Sequence, residues 1–513
     1  MNGAESLVRT LVASGIEVSF ANPGTSEMHF CAALDRVPGL HSVLCLFEGV
    51  ATGAADGYAR MAGKPAATLL HCGPGLANGL AYLHDAQKAR TPIVNIVGDQ
   101  ATYHAPLNPP LAADTEGWAR PVSVWTKKVM QTADLGRSAA EAVRAARTAP
   151  GGIATLILPS DVSWSDGGTP ADALPVPSPK KISETAVKDA ARVLSRREPT
   201  VLMLSGAALS QGSLANAARI AQATGAWVMA PTFNSRIARG AGRHLVTSIP
   251  YPVDLSVALL AQTKQMILVG TGEPVAFFAY PGKPGIVSPK DAHSHWLARE
   301  DEDLEDALAR LAEELNCGAP PAPVQKGNAV PAKGAVTIEG AAQTLAALMP
   351  ENSIVADEAI TLRGPLFEGT KHAAPHDWLQ VPGGAIGHGL PLATGAAVAA
   401  KGRRVFALVG DGSAMYTVQA LWTQARENLD VTTIILSNRK YAVLLHELAQ
   451  TGAAPGPTTH EIFEMMRPDL DWTLMAKGMG VEAARAGSLE RFAELLAYSN
   501  KRRGPFLIEL PFP

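Results

Sequence analysis

The sequence predicts an α/β protein of three domains, each built on a doubly wound parallel sheet. A chain of 513 residues has the length of about three domains. Short apolar runs alternate with helix-like patterns, and strands separated by helices pair in parallel. Two Pro- and Gly-rich stretches interrupt the alternation, so we place the domains at 1–165, 184–315 and 334–513.

Composition narrows the class of protein. The net charge of −3 argues against nucleic acid or an anionic membrane as the main partner. The start of the chain lacks a basic segment followed by an apolar one, and no apolar run is long enough to span a bilayer. We therefore expect a soluble, cytoplasmic protein. Buried thiols are expected at the four cysteines, none of which has C-x-x-C spacing: Cys31, Cys45, Cys72 and Cys317.

In the first domain, ionisable residues follow two of the predicted strands. The predicted strands are 16–20, 42–47, 66–70 and 93–97. Glu48 follows the second of them and His71 follows the third. Active residues of parallel sheets gather at the carboxyl ends of strands, so both are candidates. Taken alone, Glu48 could be a helix-start acid favoured by the helix dipole, and an isolated His after a strand is more often structural.

The middle domain repeats the alternation with predicted strands at 201–204, 226–229 and 265–269. The segment from Gly206 to Gly212 is rich in small residues but is not a dinucleotide fingerprint. We therefore predict no nucleotide there.

The last domain begins with a predicted strand at 354–358 and carries the most distinctive stretch of the chain. An apolar run, 405–409, leads into Gly410-Asp411-Gly412-Ser413, and the next apolar run ends at Asn438. Glycines let backbone N–H groups approach an anion, and the following helix presents its positive end to phosphate. A carboxylate, an amide oxygen and a backbone carbonyl suit Mg²⁺ that still carries diphosphate oxygens. The alternative is a strand–turn–helix with an Asp cap.

This pattern resembles the metal- and diphosphate-binding motif of thiamine diphosphate (ThDP) enzymes, which include benzoylformate decarboxylase and the acetolactate synthase large subunit. The resemblance covers nearly the whole chain. It implies that Asp411, Asn438 and the carbonyl of Lys440 bind Mg²⁺, with Gly410, Gly412 and Ser413 at the diphosphate. One departure is Ser437, which stands where many members have the first Asn of an Asn-Asn pair.

A second motif of the family lies in the first domain. Glu48, a Gly- and Ala-rich helix and the run from Asp56 to Arg60 match the segment that binds the aminopyrimidine ring of ThDP. The resemblance implies that Glu48 shares a proton with that ring, which then removes the thiazolium C2 proton.

The loop from Gly383 to Pro391 matches the family segment that seats the pyrimidine. By this resemblance the Gly384 carbonyl faces the exocyclic amine, and Ile386 is the wedge that bends the cofactor. Ile360 and Thr361 are implied to touch the diphosphate, and residues 441–466 form an active-site lid.

Among family members, the active-site motifs are closest to benzoylformate decarboxylase. His71 matches a catalytic histidine, and the catalytic serine falls on Thr25. Ala279 stands where that enzyme has a second catalytic histidine, which is a departure.

The resemblance implies decarboxylation of a 2-keto acid through a C2 carbanion and an enamine, with release of an aldehyde. An acetolactate-synthase-like carboligase, which joins the enamine to a second carbonyl, remains an alternative. A catalytically silent regulatory paralogue is an alternative of another class, against which the retained Glu48, Asp411 and Asn438 speak. The family also implies a homodimer or homotetramer with the active site at the subunit interface.

Overall fold

The computed structural model describes residues 1–512, and its N-terminal part is a six-stranded parallel sheet with the order β2–β1–β3–β4–β6–β5. Consecutive residues of β3, Leu69 and Leu70, point into different hydrophobic cores, so both faces of the sheet are covered. The strands are β1 (Val18–Asn22), β2 (His41–Leu44), β3 (Ala66–Leu70), β4 (Ile93–Asp99), β5 (Trp125–Lys128) and β6 (Ile153–Pro159). The helices are α1 (Gly3–Ala13), α2 (Met28–Arg36), α3 (Glu48–Ala62), α4 (Cys72–Lys88), α5 (Thr115–Ala119), α6 (Leu135–Arg147) and α7 (Ser160–Trp164).

The middle part forms a five-stranded parallel sheet with the order β10–β8–β7–β11–β12. Its elements are β7 (Thr200–Leu204), β8 (Trp227–Ala230), β10 (Thr247–Ser248), β11 (Gln265–Val269) and β12 (His293–Ala298), with α8 (Glu184–Ser195), α9 (Gln211–Thr224), α10 (Val253–Leu260) and α11 (Leu304–Glu314). One strand of this segment, β9 (Arg236–Arg239), leaves the middle sheet and joins the third one.

The C-terminal part contains a seven-stranded sheet with the order β17–β18–β16–β15–β13–β14–β9. Only β9 runs antiparallel, and it covers the edge of β14. The strands are β13 (Ser353–Glu358), β14 (His376–Leu379), β15 (Val405–Gly410), β16 (Val431–Ser437), β17 (Glu482–Arg485) and β18 (Phe506–Pro511). The helices are α12 (Ile338–Leu348), α13 (Arg363–Gly369), α14 (Gly389–Ala399), α15 (Asp411–Ala414), α16 (Ala420–Arg426), α17 (Ala442–Thr451), α18 (Pro457–Phe463), α19 (Trp472–Gly478) and α20 (Leu489–Lys501).

The first and third sheets are joined through α3 and α14, whose backbones approach each other closely because glycines line the contact. A Cβ on Gly57 would lie 2.1 Å from the Leu392 carbonyl oxygen, and a Cβ on Gly395 would lie 1.8 Å from that of Ala54. Only glycine permits such an approach. The joint fixes α3, which starts at Glu48, against the start of α14.

The α/β class with three parallel-dominated sheets, predicted from the sequence, is confirmed. The predicted strands are present, with ends that differ by a few residues; the 42–47 run, for example, is a strand only over His41–Leu44. Among residues 1–512, no helix is both long and apolar enough to cross a membrane.

Candidate active site

Asp411 is the first residue after β15, and its side chain ties β15 to the end of β16. The two strands are neighbours, with Gly410 paired to Leu436. Asp411 is 3% exposed. Its Oδ1 accepts from the Gly412 N–H at 2.9 Å, and its Oδ2 accepts from the Arg439 N–H at 2.6 Å. The Ser437 hydroxyl donates to Oδ2 at 3.4 Å.

The electrostatics of this turn fit a cation that carries an anionic group. Burial raises the pKa of Asp411, although the three hydrogen bonds oppose the shift. All three donors are uncharged, so within residues 1–512 the carboxylate has no cationic side chain bonded to it. On the same turn, the Nε of Arg439 is buried without a hydrogen-bond partner, which suits an anion. Asn438 is partly buried, and its Oδ1 accepts from the Lys440 N–H at 3.2 Å. The residues present therefore fit Mg²⁺ with a diphosphate.

The helix after the Gly-Asp-Gly turn was expected to present its positive end to phosphate, but it is very short. It spans only Asp411–Ala414, and a 3₁₀ turn over Met415–Thr417 follows. A helix dipole builds up from many aligned peptide units, so a single turn contributes little. An anion at this turn would therefore be bound by individual N–H groups and by Arg439 rather than by a helix dipole.

The loop from Gly383 to Gly389 is held in place by carboxylates rather than by regular structure. Gly384 and Gly387 have φ of +71° and +96°, which favour glycine. Glu358, at the end of β13, accepts from the N–H groups of Gly387 at 2.6 Å and Gly389 at 2.7 Å. Burial raises the pKa of Glu358 to about 7, against the effect of these two N–H groups.

Two neighbouring features lie at the same sheet edge. The Ile386 carbonyl accepts from the Tyr82 hydroxyl at 3.1 Å, which ties the expected wedge to α4 of the N-terminal part. Ile360 and Thr361 form a 3₁₀ turn directly after β13, the neighbour of β15. Ile360 has a φ of +48°, which is strained for a β-branched residue, and such strain favours a functional role.

Glu48 begins α3 and is half-buried. Its Oε2 accepts from the Asn78 amide at 3.0 Å. A Cβ on Gly75 would lie 3.1 Å from its Oε1, so the small residues of α4 leave room for this carboxyl. One side of Glu48 is thus fixed by α4, and the other remains accessible.

His71 lies between β3 and α4 and is oriented by a buried carboxylate. Its Nδ1 is 2.9 Å from Oε2 of Glu27, which is fully buried, and 3.2 Å from the Ser26 hydroxyl. The ring packs on Gly24, where a Cβ would lie 2.4 Å from the His71 Cγ. The side chain of His71 is 23% exposed, so Glu27 holds Nδ1 while Nε2 is left for an exogenous group.

Thr25 does not make the contact expected of a catalytic hydroxyl in this conformation. It is exposed, and among residues 1–512 its hydroxyl forms no hydrogen bond to His71; the neighbouring Ser26 makes that bond. A role for Thr25 stays a prediction.

The expected lid and the segment around Ala279 also lie near the site. Phe277 packs on the loop described above, since a Cβ on Gly384 would lie 2.7 Å from its ring. Glu447, on α17 in the expected lid, accepts from the hydroxyls of Tyr251 at 3.1 Å and Tyr280 at 2.7 Å. Helix α17 is thus bonded to residues of the middle part of the chain.

The structure brings Asp411 next to Asn438, and His71 next to Glu27. Within residues 1–512, no hydrogen bond or ion pair joins Glu48 to the Asp411 turn. Several residues that organise the site were not predicted from the sequence: Ser26, Glu27, Tyr82, Asp85, Glu358 and His388. His388 stands inside the loop from Gly383 to Pro391, and Ser26 and Glu27 directly follow Thr25, but the partners of all three are distant in sequence.

Two models of known protein domains match this chain, one near each end. The thiamine pyrophosphate enzyme N-terminal binding domain matches residues 1–120, and the C-terminal binding domain matches residues 367–510. A Mycobacterium tuberculosis protein named "Putative acetolactate synthase large subunit" is 48% identical over 100% of this chain and 99% of its own length. Benzoylformate decarboxylase of Pseudomonas aeruginosa is 27% identical over 97% of this chain and 96% of its own length. A thiamine diphosphate-dependent 4-hydroxybenzoylformate decarboxylase of Rhodococcus jostii shares the fold, with a TM-score of 0.85 at 23% identity, covering 99% of this chain and 98% of that chain.

Proposed function

Since the chain belongs to the thiamine pyrophosphate enzyme family, we propose that it decarboxylates a 2-keto acid with ThDP and Mg²⁺ and releases an aldehyde. The observation that carries this reaction is His71, whose Nδ1 is held by the buried Glu27 while its ring remains partly exposed. Loss of CO₂ from a 2-keto acid and release of an aldehyde require one proton to be added at the former keto carbon. An oriented, accessible imidazole is suited to supply it.

Each half of the chain has a task in this proposal. Asp411, Asn438 and the Lys440 carbonyl hold Mg²⁺, and Gly384 and Ile386 seat the pyrimidine. When bound, ThDP supplies the carbon nucleophile that adds to the keto group and the electron sink for the decarboxylation.

The proton tasks fall to the N-terminal part. Glu48 holds a proton at its carboxyl for exchange with the cofactor ring, with Asn78 fixing the carboxyl at 3.0 Å. His71 delivers a proton at Nε2 to the substrate-derived carbon, and the Thr25 hydroxyl donates to the substrate carboxylate. The lid around α17 excludes water.

A second candidate is a carboligase, in which a second carbonyl compound takes the place of the proton. The relative at 48% identity, named as an acetolactate synthase, favours this outcome. The missing second histidine at Ala279 also favours it, because one fewer proton donor faces the substrate.

We further infer that the working form is a homodimer or homotetramer with the active site at the subunit interface. Glu48 and Asp411 follow strands of different sheets, and within residues 1–512 no direct bond joins their side chains. A second copy supplying the opposite half would complete each site.

The test is a product analysis. The protein loaded with ThDP and Mg²⁺ is given a panel of 2-keto acids, singly and in pairs, and products are identified by mass. Aldehyde and CO₂ from a single acid support the decarboxylase, and a condensed hydroxyketone supports the carboligase. The same incubations with the Asp411→Ala variant serve as the control. Absence of any product from the loaded wild-type protein contradicts both candidates.

A further inference from the structure

His388 lies fully buried between two carboxylates that belong to the N-terminal part. Its Nδ1 is hydrogen-bonded to Oδ2 of Asp85 on α4 at 2.8 Å. Its Nε2 lies 3.2 Å from Oδ2 of Asp56 on α3, an ion-pair contact without hydrogen-bond geometry. All three side chains have 0% exposure. His388 immediately precedes α14, so it joins the C-terminal part to two separate N-terminal helices.

Asp85 also binds the loop from Gly383 to Gly389 at a second point. Its Oδ1 accepts from the Ala385 N–H at 3.2 Å. Tyr82, one helical turn earlier on α4, donates to the Ile386 carbonyl at 3.1 Å. Ala385 and His388, on either side of the expected wedge, and the Ile386 carbonyl itself are therefore bonded to the same helix.

The buried charges balance only when His388 is protonated. Asp56 and Asp85 carry two negative charges, and Arg60 pairs with Asp56 through Nε at 2.8 Å and through a second bond from Nη2 to Oδ2. A protonated His388 makes the cluster neutral. Burial disfavours the imidazolium, but the hydrogen bond to Asp85 and the charges of both carboxylates outweigh burial and raise the pKa of His388, while Arg60 opposes them.

Two more titratable groups face His388. The Tyr82 ring lies 5.4 Å from the imidazole, and burial raises the pKa of its hydroxyl, so it stays neutral. Glu358 of β13 bonds the neighbouring Gly387 and Gly389, and the charge on His388 favours its ionised form. The positive charge on His388 is therefore close to the two carboxylates that bond this loop, those of Asp85 and Glu358.

We propose that His388 is a positioning residue whose imidazolium bridges Asp56 and Asp85 and thereby fixes Ile386 relative to α3 and α4. The inference rests on the proposed function in assigning this loop to the cofactor. Without the bridge, two carboxylates are left in a dry site with one arginine, and the loop must move away from them or admit water. A displacement of about 1 Å can cost on the order of 10²-fold in rate while leaving binding contacts in place.

The test compares His388→Phe with His388→Asn. Phe keeps a ring of similar size but removes both contacts and the charge, whereas Asn retains a donor toward Asp85. We expect kcat to fall roughly 10- to 100-fold in His388→Phe with little change in KM. His388→Asn should recover a large part of the loss. Thermal unfolding of each variant separates inactivity from failure to fold.

A double-variant cycle with Asp85→Asn isolates the pair. If the bridge is real, Asp85→Asn removes the carboxylate that His388→Phe leaves unpaired. The double variant should then be more active than the product of the two single effects predicts. Additive losses would contradict the bridge.

The protonation state of His388 can be measured in the absence of cofactor and of catalysis. In ¹⁵N-histidine NMR of the free protein, the resonance absent from His388→Phe should show a doubly protonated ring at pH 7. His376 is the matched control, because it is buried in the same part of the chain but, within residues 1–512, its side chain bonds only the Ala374 carbonyl, at 2.7 Å. Burial lowers the pKa of His376 to about 4, so its ring should be neutral in the same spectrum, and His376→Phe should leave kcat unchanged.

The outcomes separate this inference from the proposed function. A neutral His388 ring at pH 7, or His388→Phe with kcat within about twofold of wild type, overturns the inference. If the wild-type protein binds ThDP but converts no 2-keto acid, the proposed reaction is wrong. His388 is then judged by ring charge and by the near-ultraviolet circular dichroism of bound cofactor, which His388→Phe should change and His376→Phe should not.

Discussion

Replacing Glu27 with Gln removes one negative charge behind His71 and changes the shape of the side chain very little. Oε2 of Glu27 accepts from two donors, the His71 Nδ1 at 2.9 Å and the Gly24 N–H at 2.6 Å. A backbone N–H can only donate, so the atom at this place must remain an oxygen. The amide oxygen of Gln therefore takes the place of Oε2, and His71 keeps its proton on Nδ1.

The expected loss follows from the change in that hydrogen bond. A bond to a charged group contributes about 1.5–3 kcal/mol and a neutral one about 0.5–1.5 kcal/mol. The protonated form of His71 thus loses about 1 kcal/mol of stabilisation, which lowers kcat roughly fivefold. The new amide nitrogen occupies the place of Oε1, which is buried without a partner, so the free energy of unfolding should fall by about 1–3 kcal/mol.

The assay is kcat for the substrate found in the product panel, compared across Glu27→Gln, Glu27→Ala and His71→Ala. Glu27→Ala also removes the orienting bond, so it should approach His71→Ala, with a loss of roughly 10²–10⁴-fold. Gly98→Ala should behave similarly, because its Cβ would lie 1.5 Å from Oε1 of Glu27. Gly212→Ala, where a Cβ meets nothing within 4 Å, is the control. If Glu27→Gln is as damaging as Glu27→Ala, or harmless, the reasoning about charge and orientation is refuted.

Three more outcomes are expected. Asp411→Ala should abolish Mg²⁺-dependent ThDP binding in calorimetry, because Asp411 supplies the only carboxylate among the proposed metal ligands within residues 1–512; unchanged affinity would contradict this. Ile386→Ala should lower kcat more than ThDP affinity, since geometry is lost while diphosphate contacts remain, and equal losses would make Ile386 a packing residue. Glu48→Gln should slow hydrogen–deuterium exchange at C2 of bound ThDP, which NMR can follow. His71→Ala should slow product formation and leave that exchange nearly intact. Similar exchange rates in both variants would show that Glu48 and His71 do not have separate proton-transfer roles.

The features that were predicted from the sequence are those that depend on residues adjacent in the chain. Alternating apolar runs predicted three sheets, and the end of β15 was read correctly because Gly410-Asp411-Gly412 follows it directly. Register between strands was not available, yet the pairing of Gly410 with Leu436 is what places Asp411 beside the Ser437–Arg439 turn. The strand of the middle segment that crosses to the third sheet was missed, because edge pairing depends on how domains dock.

Contacts between distant residues explain what the sequence could not show. Glu27 and His71 are 44 positions apart, and His388 and Asp85 are 303 apart. Each of these residues has an ordinary local explanation: Glu27 in a turn, Asp85 on a helix, and His388 in a Gly-rich loop. Their roles arise only when the parts meet, since the pKa of a buried group depends on neighbours that periodicity does not reveal.

The same two helices set both the proton-handling groups and the cofactor loop. Helix α3 begins with Glu48 and carries Asp56, while α4 begins after His71 and carries Asp85. A movement of either helix therefore changes a proton donor of one proposed interface site and the wedge of the other, since both belong to the same chain. The glycine contacts hold α3 closely against α14, since a Cβ on Gly57 would overlap the Leu392 carbonyl. Close helix packing at this joint thus helps to keep both of the sites to which one chain contributes in a productive geometry.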